Sequence, residues 1–199
     1  MVWYEDEVKR LEAERLNYKY TPETLFYGSS SIRMWDTLNT DFADYKPANL
    51  GFGGSTLAAC VWYFDRILLP LNPRRIVFYA GDNDIGDGRH PEEIFIFFQQ
   101  LMARVTATYP GVPFAYISIK PSIARWNLNE SIKYTNKLIA TELKKYPDAQ
   151  YIDVYSHMIN TAGKPKPELF LPDGLHMSAK GYDIWRPLVL KYLQSLSAS

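Results

Sequence analysis

The apolar residues of this chain recur in two rhythms. Leu25-Phe26-Tyr27, Ile76-Val77-Phe78-Tyr79-Ala80 and the stretch from Val112 to Ile119 run without polar alternation, the pattern of strands covered on both faces. Pro47-Ala48-Asn49-Leu50 and Tyr151-Ile152-Asp153-Val154 are shorter strands bounded by turn residues. Between these runs the spacing changes to three and four. Tyr4, Val8 and Leu11 stand among charges at i, i+4 and i+7, and Ile94, Phe97, Phe98, Leu101, Met102 and Val105 form a helical stripe. Ile132, Ile139, Leu143 and Tyr146 mark a helix that Pro147 stops. A helix from Thr56 to Leu69 ends before Pro70, and one from Ser178 to Leu196 contains Pro187, which should kink it or shift its start. A further helix is expected from the serines after Tyr27 to Trp35 or Leu38, followed by an irregular 37–46. Five strands alternating with helices predict one α/β domain, 1–199, with a mainly parallel sheet and an N-terminal helix that packs on the body and carries no chemistry.

Composition narrows the partners. Lys plus Arg and Asp plus Glu number 22 each, so no net field draws nucleic acid or an anionic membrane, and a neutral or weakly charged partner fits better. Cys60 is the single cysteine, which excludes an internal disulfide framework and a multi-cysteine zinc site. Met1-Val2-Trp3-Tyr4-Glu5 lacks a basic start and an apolar core, and no window approaches about 18 apolar residues. The sequence as it stands therefore predicts a soluble, cytoplasmic protein with no membrane insertion.

The polar punctuation falls at the carboxyl ends of the strands, where ligands bind in parallel sheets. Gly28-Ser29-Ser30-Ser31 follows the first strand; a serine opening a helix there offers a hydroxyl and an unpaired N–H together, although the same residues also make an ordinary capped turn. Gly51-Phe52-Gly53-Gly54-Ser55-Thr56 follows the second strand. It misses the last glycine of a dinucleotide fingerprint, so its use is a backbone N–H offered to a ligand. Gly81-Asp82-Asn83-Asp84 follows the third strand. Asp82, Asp84 and Glu93 have calcium-loop spacing, but the glycine of the sharp turn is misplaced, leaving Asn83 as an amide donor. Beyond the fourth strand, Lys120 and Arg125 can meet a substrate oxygen and Trp126 an acyl chain or sugar, against the plainer reading of solvated charges beside a packed tryptophan. Of three histidines, His90 sits in a charged turn and His157 has no local orienter, whereas His176 has Asp173 three residues earlier. A base held by a carboxylate is what a serine nucleophile requires, and a structural ion pair is the alternative.

Taken in order, Gly28-Ser-Ser30, Asn49-Leu-Gly-Phe-Gly-Gly54-Ser-Thr, Gly81-Asp-Asn83-Asp84 and Asp173-Gly-Leu-His176 make the chain, from about Leu25 to Leu193, resemble the SGNH (GDSL-type) hydrolases. The resemblance implies a three-layer flavodoxin-like fold, esterase or lipase activity, and no metal or organic cofactor. It implies Ser30 as nucleophile, His176 as base, Asp173 as its orienter, and the N–H groups of Ser30 and Gly54 with the Asn83 amide as the oxyanion hole. Gly53 competes with Gly54, and Ser29 replaces the family's aspartate, which leaves Ser29 and Ser31 as rival nucleophiles. The short inserts favour short acyl groups, acetyl above all, on a carbohydrate or lipid-like alcohol. The competing classes are a lysophospholipase or thioesterase, a silent binding module, and a nucleotide-binding flavodoxin-like domain.

Overall fold

The computed structural model describes residues 1–197. Its centre is a five-stranded, all-parallel sheet of β1 (Thr24–Gly28), β2 (Pro47–Gly51), β3 (Arg75–Tyr79), β4 (Phe114–Ile117) and β5 (Ala149–Ile152) in the order β2-β1-β3-β4-β5. Each strand lies within a few residues of its predicted run.

Alternate strand residues feed two cores. Leu25, Tyr27, Ile76, Phe78 and Phe114 face the first, with α1 (Glu5–Arg15), α4 (Leu57–Trp62), α5 (Phe64–Ile67), α7 (Pro91–Thr108) and α8 (Asn129–Leu143). Phe26, Val77, Tyr79 and Ile117 face the second, with α2 (Ser30–Arg33), α3 (Leu38–Asp41), α9 (Tyr155–Met158) and α10 (Ala179–Ser197). The result is the three-layer αβα arrangement with doubly-wound strand order.

Two helices depart from expectation. The helix after the serines stops at Arg33, because the Asn49 amide takes the Ile32 carbonyl (2.8 Å) and Trp35 turns into the second core with its Nε1 on Asp41 (2.8 Å). The predicted Thr56–Leu69 helix breaks at Tyr63, whose hydroxyl reaches the Met1 carbonyl (2.8 Å). Pro187 sits inside α10 and does not delay it. The 37–46 stretch is not wholly irregular, since it contains α3 and a single 3-10 turn.

The strand order reverses between β1 and β3. In register Gly28 is the partner of both Gly51 and Tyr79, so three strands end at one level and their following loops start there together. This is the switch point at which parallel sheets gather ligands.

Candidate active site

Gly28 closes β1 with φ +139°, and a Cβ there would stand 1.8 Å from the Tyr79 carbonyl oxygen. Only glycine lets the chain cross that closely. Ser29 then donates its N–H to Tyr79 O (2.9 Å), and Ser30 becomes the first residue of α2. The crossing separates the three serines: Ser29 and Ser31 are 2% and 4% exposed, whereas Ser30 is half-buried. As the first residue of a helical turn, Ser30 has an N–H with no partner inside the turn.

The glycine loop is stitched to that turn by Phe52 N–H on Gly28 O (3.0 Å). Gly53 donates its N–H to Glu7 Oε2 (3.2 Å), and the Gly54 carbonyl accepts from the Tyr4 hydroxyl (3.0 Å). Gly54 is exposed at φ +69°, and its own N–H makes no hydrogen bond among the described residues. Glu7 also receives Arg33 Nε (2.9 Å), while Arg10 Nη2 donates to Gly51 O (2.9 Å). The N-terminal helix, expected to carry no chemistry, therefore holds this loop from outside. Its charged face looks like any solvated face in sequence. The one signal was Tyr4, a hydroxyl carried on the apolar stripe.

Asn83 lies in α6 (Asp82–Gly86) and donates Nδ2 to Ser55 O (3.1 Å), which ties it to the glycine loop and leaves its second N–H unused. Its Oδ1 accepts from Arg125 Nη1 and Nη2 (3.4 and 3.3 Å). Arg125 also pairs with Asp82 (2.7 Å), as does Lys120 (3.0 Å), which is 1% exposed. Burial alone would raise the Asp82 carboxyl, but the Lys120 and Arg125 charges outweigh it and hold the group below its ordinary range. Lys120 is thus turned inward on Asp82 instead of open to a substrate oxygen, and the Arg125 guanidinium is engaged by Asp82 and Asn83. Trp126 is half-buried with Lys164 Nζ 4.6 Å from its ring centre. Asp84 accepts the Leu57 N–H (2.8 Å) at the start of α4, and burial pushes its carboxyl up to about 6.

His176 and Asp173 meet as the spacing suggested, Nδ1 to Oδ2 at 2.6 Å. The turn fixes the carboxylate first: Oδ1 accepts the N–H groups of Leu175 (2.9 Å) and His176 (3.0 Å). The hydrogen bond to His176, with those N–H groups, lowers the Asp173 carboxyl to about 2. Its position fixes Nδ1 as the partnered nitrogen and leaves Nε2 without a partner among the described residues. Ile123 and Ala124 donate to Gly174 O (2.9 and 3.0 Å), so the loop that carries Arg125 also braces the histidine turn. Tyr182 of α10 donates to Ser31 O (3.0 Å), bracing the serine turn from the other side. The serine turn, glycine loop, Asn83, Arg125 loop and histidine turn thus form one connected rim. No hydrogen bond joins Ser30 to His176 among the described residues; such bonds commonly tighten only with substrate bound. His90 is an exposed cap of α7, and His157 is exposed on α9.

A GDSL-like lipase/acylhydrolase family model matches residues 24–184. The chain belongs to that family. This GDSL-like chain has no match among curated proteins. Its fold is similar to that of a Streptococcus pneumonia protein provisionally described as a platelet activating factor (22% identity, TM-score 0.83, 96% of this chain and 94% of that one). It is similar to a GDSL-like lipase from Bacteroides thetaiotaomicron (19%, 0.79, 95% and 98%) and to an acetyl esterase variant with an acetate ion (15%, 0.71, 88% and 98%).

A cavity of about 370 Å³ in this GDSL-like acylhydrolase lies between the segment after α2 and the start of α10, with Met34, Asp36, Met177, Tyr182 and Arg186 in its wall, and none of Ser30, Gly54, Asn83 or His176 lines it. Among the described residues, no group of three His, Cys, Asp or Glu could hold a metal ion, and no helix is long and apolar enough to cross a membrane.

Proposed function

We propose that the protein is a serine esterase working through an acyl-enzyme, with Ser30 as nucleophile, His176 as general base and then acid, and Asp173 as its orienter. The observation that carries the reading is the Asp173–His176 contact of 2.6 Å, held by two backbone N–H groups, with Nε2 left unbonded. Ser30 Oγ attacks the ester carbonyl carbon as its proton passes to Nε2. The carbonyl oxygen takes the negative charge and is received by the N–H groups of Ser30 and Gly54 and by the spare N–H of Asn83. The unused Gly54 N–H favours it over Gly53, whose N–H is committed to Glu7. Collapse expels the alcohol, which takes the proton from His176, and water repeats the cycle on the acyl-enzyme. Three donors matter because each can stabilise charge that exists only in the transition state.

The short connections between the motifs favour a short acyl group, because they leave no long segment to form a lid over the site. An acetyl esterase among the similar folds agrees with acetyl as the first acyl group to test. The experiment is labelling with a fluorophosphonate, peptide mapping, and turnover of p-nitrophenyl esters of increasing chain length. Wild type and Ser29→Ala should be labelled on Ser30 and hydrolyse acetate best. Labelling of folded Ser30→Ala at the wild-type rate would overturn the nucleophile, and a preference for long chains would replace the acetyl reading by a lysophospholipase type.

A further inference from the structure

We propose that Arg125 is a positioning residue for the oxyanion site: it sets which way the Asn83 carboxamide faces and polarises its N–H. The inference deepens the esterase reading and rests on it.

A carboxamide can face either way, and its two ends differ only in donors and acceptors. Here the orientation is imposed from both sides. The oxygen faces two guanidinium nitrogens, at 3.4 and 3.3 Å, where an NH₂ group would be repelled. The nitrogen faces the Ser55 carbonyl at 3.1 Å, where an oxygen would be repelled. With Oδ1 engaged by a cation, electron density leaves the amide nitrogen and the remaining N–H becomes a stronger donor.

The guanidinium is itself held. Arg125 Nη1 donates to the Asp82 carbonyl (3.0 Å) and pairs with its carboxylate, and the Arg125 backbone N–H donates to the buried Ser122 hydroxyl (3.3 Å). Gly86 provides the seat: a Cβ there would lie 2.6 Å from Cζ, Nε and Nη2. Lys120 already neutralises Asp82, so charge balance does not require Arg125. The surplus positive charge lies against the donor that would face a developing oxyanion. The neighbouring Ile123 and Ala124 bind the histidine turn, so one loop sets donor and base together.

The test is a double-mutant cycle read by kcat and KM separately on p-nitrophenyl acetate. Arg125→Gln should lower kcat by about tenfold to a hundredfold with KM unchanged, since a misplaced donor weakens the transition state alone. Because Arg125→Gln also leaves Asp82 with one partner, Gly86→Ala supplies the second variant. It keeps the charge, displaces the guanidinium, and should lower kcat in the same direction. In an Asn83→Ala background neither change should lower kcat further, because the group they act through is gone. Equal losses in both backgrounds, or a rise in KM alone, would overturn the role of Arg125 while leaving the esterase intact. Absence of phosphonate labelling and turnover in the wild-type protein would overturn the esterase reading and this proposal with it.

Discussion

The proposed donors Gly54 and Asn83 stand on a loop and on the short helix α6 beside it, yet opposite physics holds them. The glycine loop is clamped from the surface by Tyr4, Glu7 and Arg10, through contacts to Gly51, Gly53 and Gly54, with the Glu7 side chain 26% and the Arg10 side chain 33% exposed. Asn83 is held from the interior by Arg125 beside a buried Asp82–Lys120 pair, at 7% and 1% exposure. Exposed ion pairs are weak and screened by salt, whereas removing one member of a buried pair leaves an uncompensated charge. The surface clamp is therefore adjustable at little cost to folding. The buried cluster binds donor geometry and folding stability together.

The largest effect should come from Asn83→Ala, expected to lower kcat by about 10²–10³, measured by steady-state hydrolysis of p-nitrophenyl acetate. Retained turnover would end the comparison by showing that only one loop supplies a donor. Next, Asp82→Asn should cost about 3 kcal/mol of stability by leaving the buried Lys120 ammonium without its counter-charge, read as a lower urea midpoint at constant slope. Glu7→Ala should cost about 1 kcal/mol, yet lower kcat by freeing the Gly53 N–H and loosening the loop that carries Gly54. High salt should weaken wild-type turnover towards that variant and leave the Asp82→Asn stability loss unchanged.

A pH-dependent effect concerns Asp84, which seats α4 just after the glycine loop. Its carboxyl is raised by burial from 3.8 to about 6, so the folded state binds more protons than the unfolded state between those values. Its contribution to stability is complete below 3.8 and is lost as pH rises through about 6. The stability of wild type relative to Asp84→Asn should fall across that interval and level off above it, as followed by denaturant titration at several pH values. A flat difference would show that Asp84 does not sense its burial.

Much of the architecture was legible because strands buried on both faces are apolar throughout. Leu25 to Tyr27 and Ile76 to Tyr79 could be little else, and the Asp173–His176 pair was legible because both groups sit in one turn. The extent of α2 was not, since what stops it is Asn49 and Asp41, remote groups acting on Ile32 and Trp35. The inward turn of Lys120 and Arg125 was not legible for the same reason: a charge's sequence neighbours do not tell whether it meets water or Asp82.

By itself, then, the sequence determined the order of strands and helices, the family motifs and the residues able to do acyl chemistry, because periodicity and turn preference are local. Only the tertiary structure separated Ser30 from the buried Ser29 and Ser31, spent the Gly53 N–H on Glu7 and left that of Gly54, and turned Arg125 onto Asn83. Each of those outcomes depends on burial and on partners at least 42 residues away, if only through the Tyr79 carbonyl that Gly28 must pass, and such partners exist only once the sheet has closed.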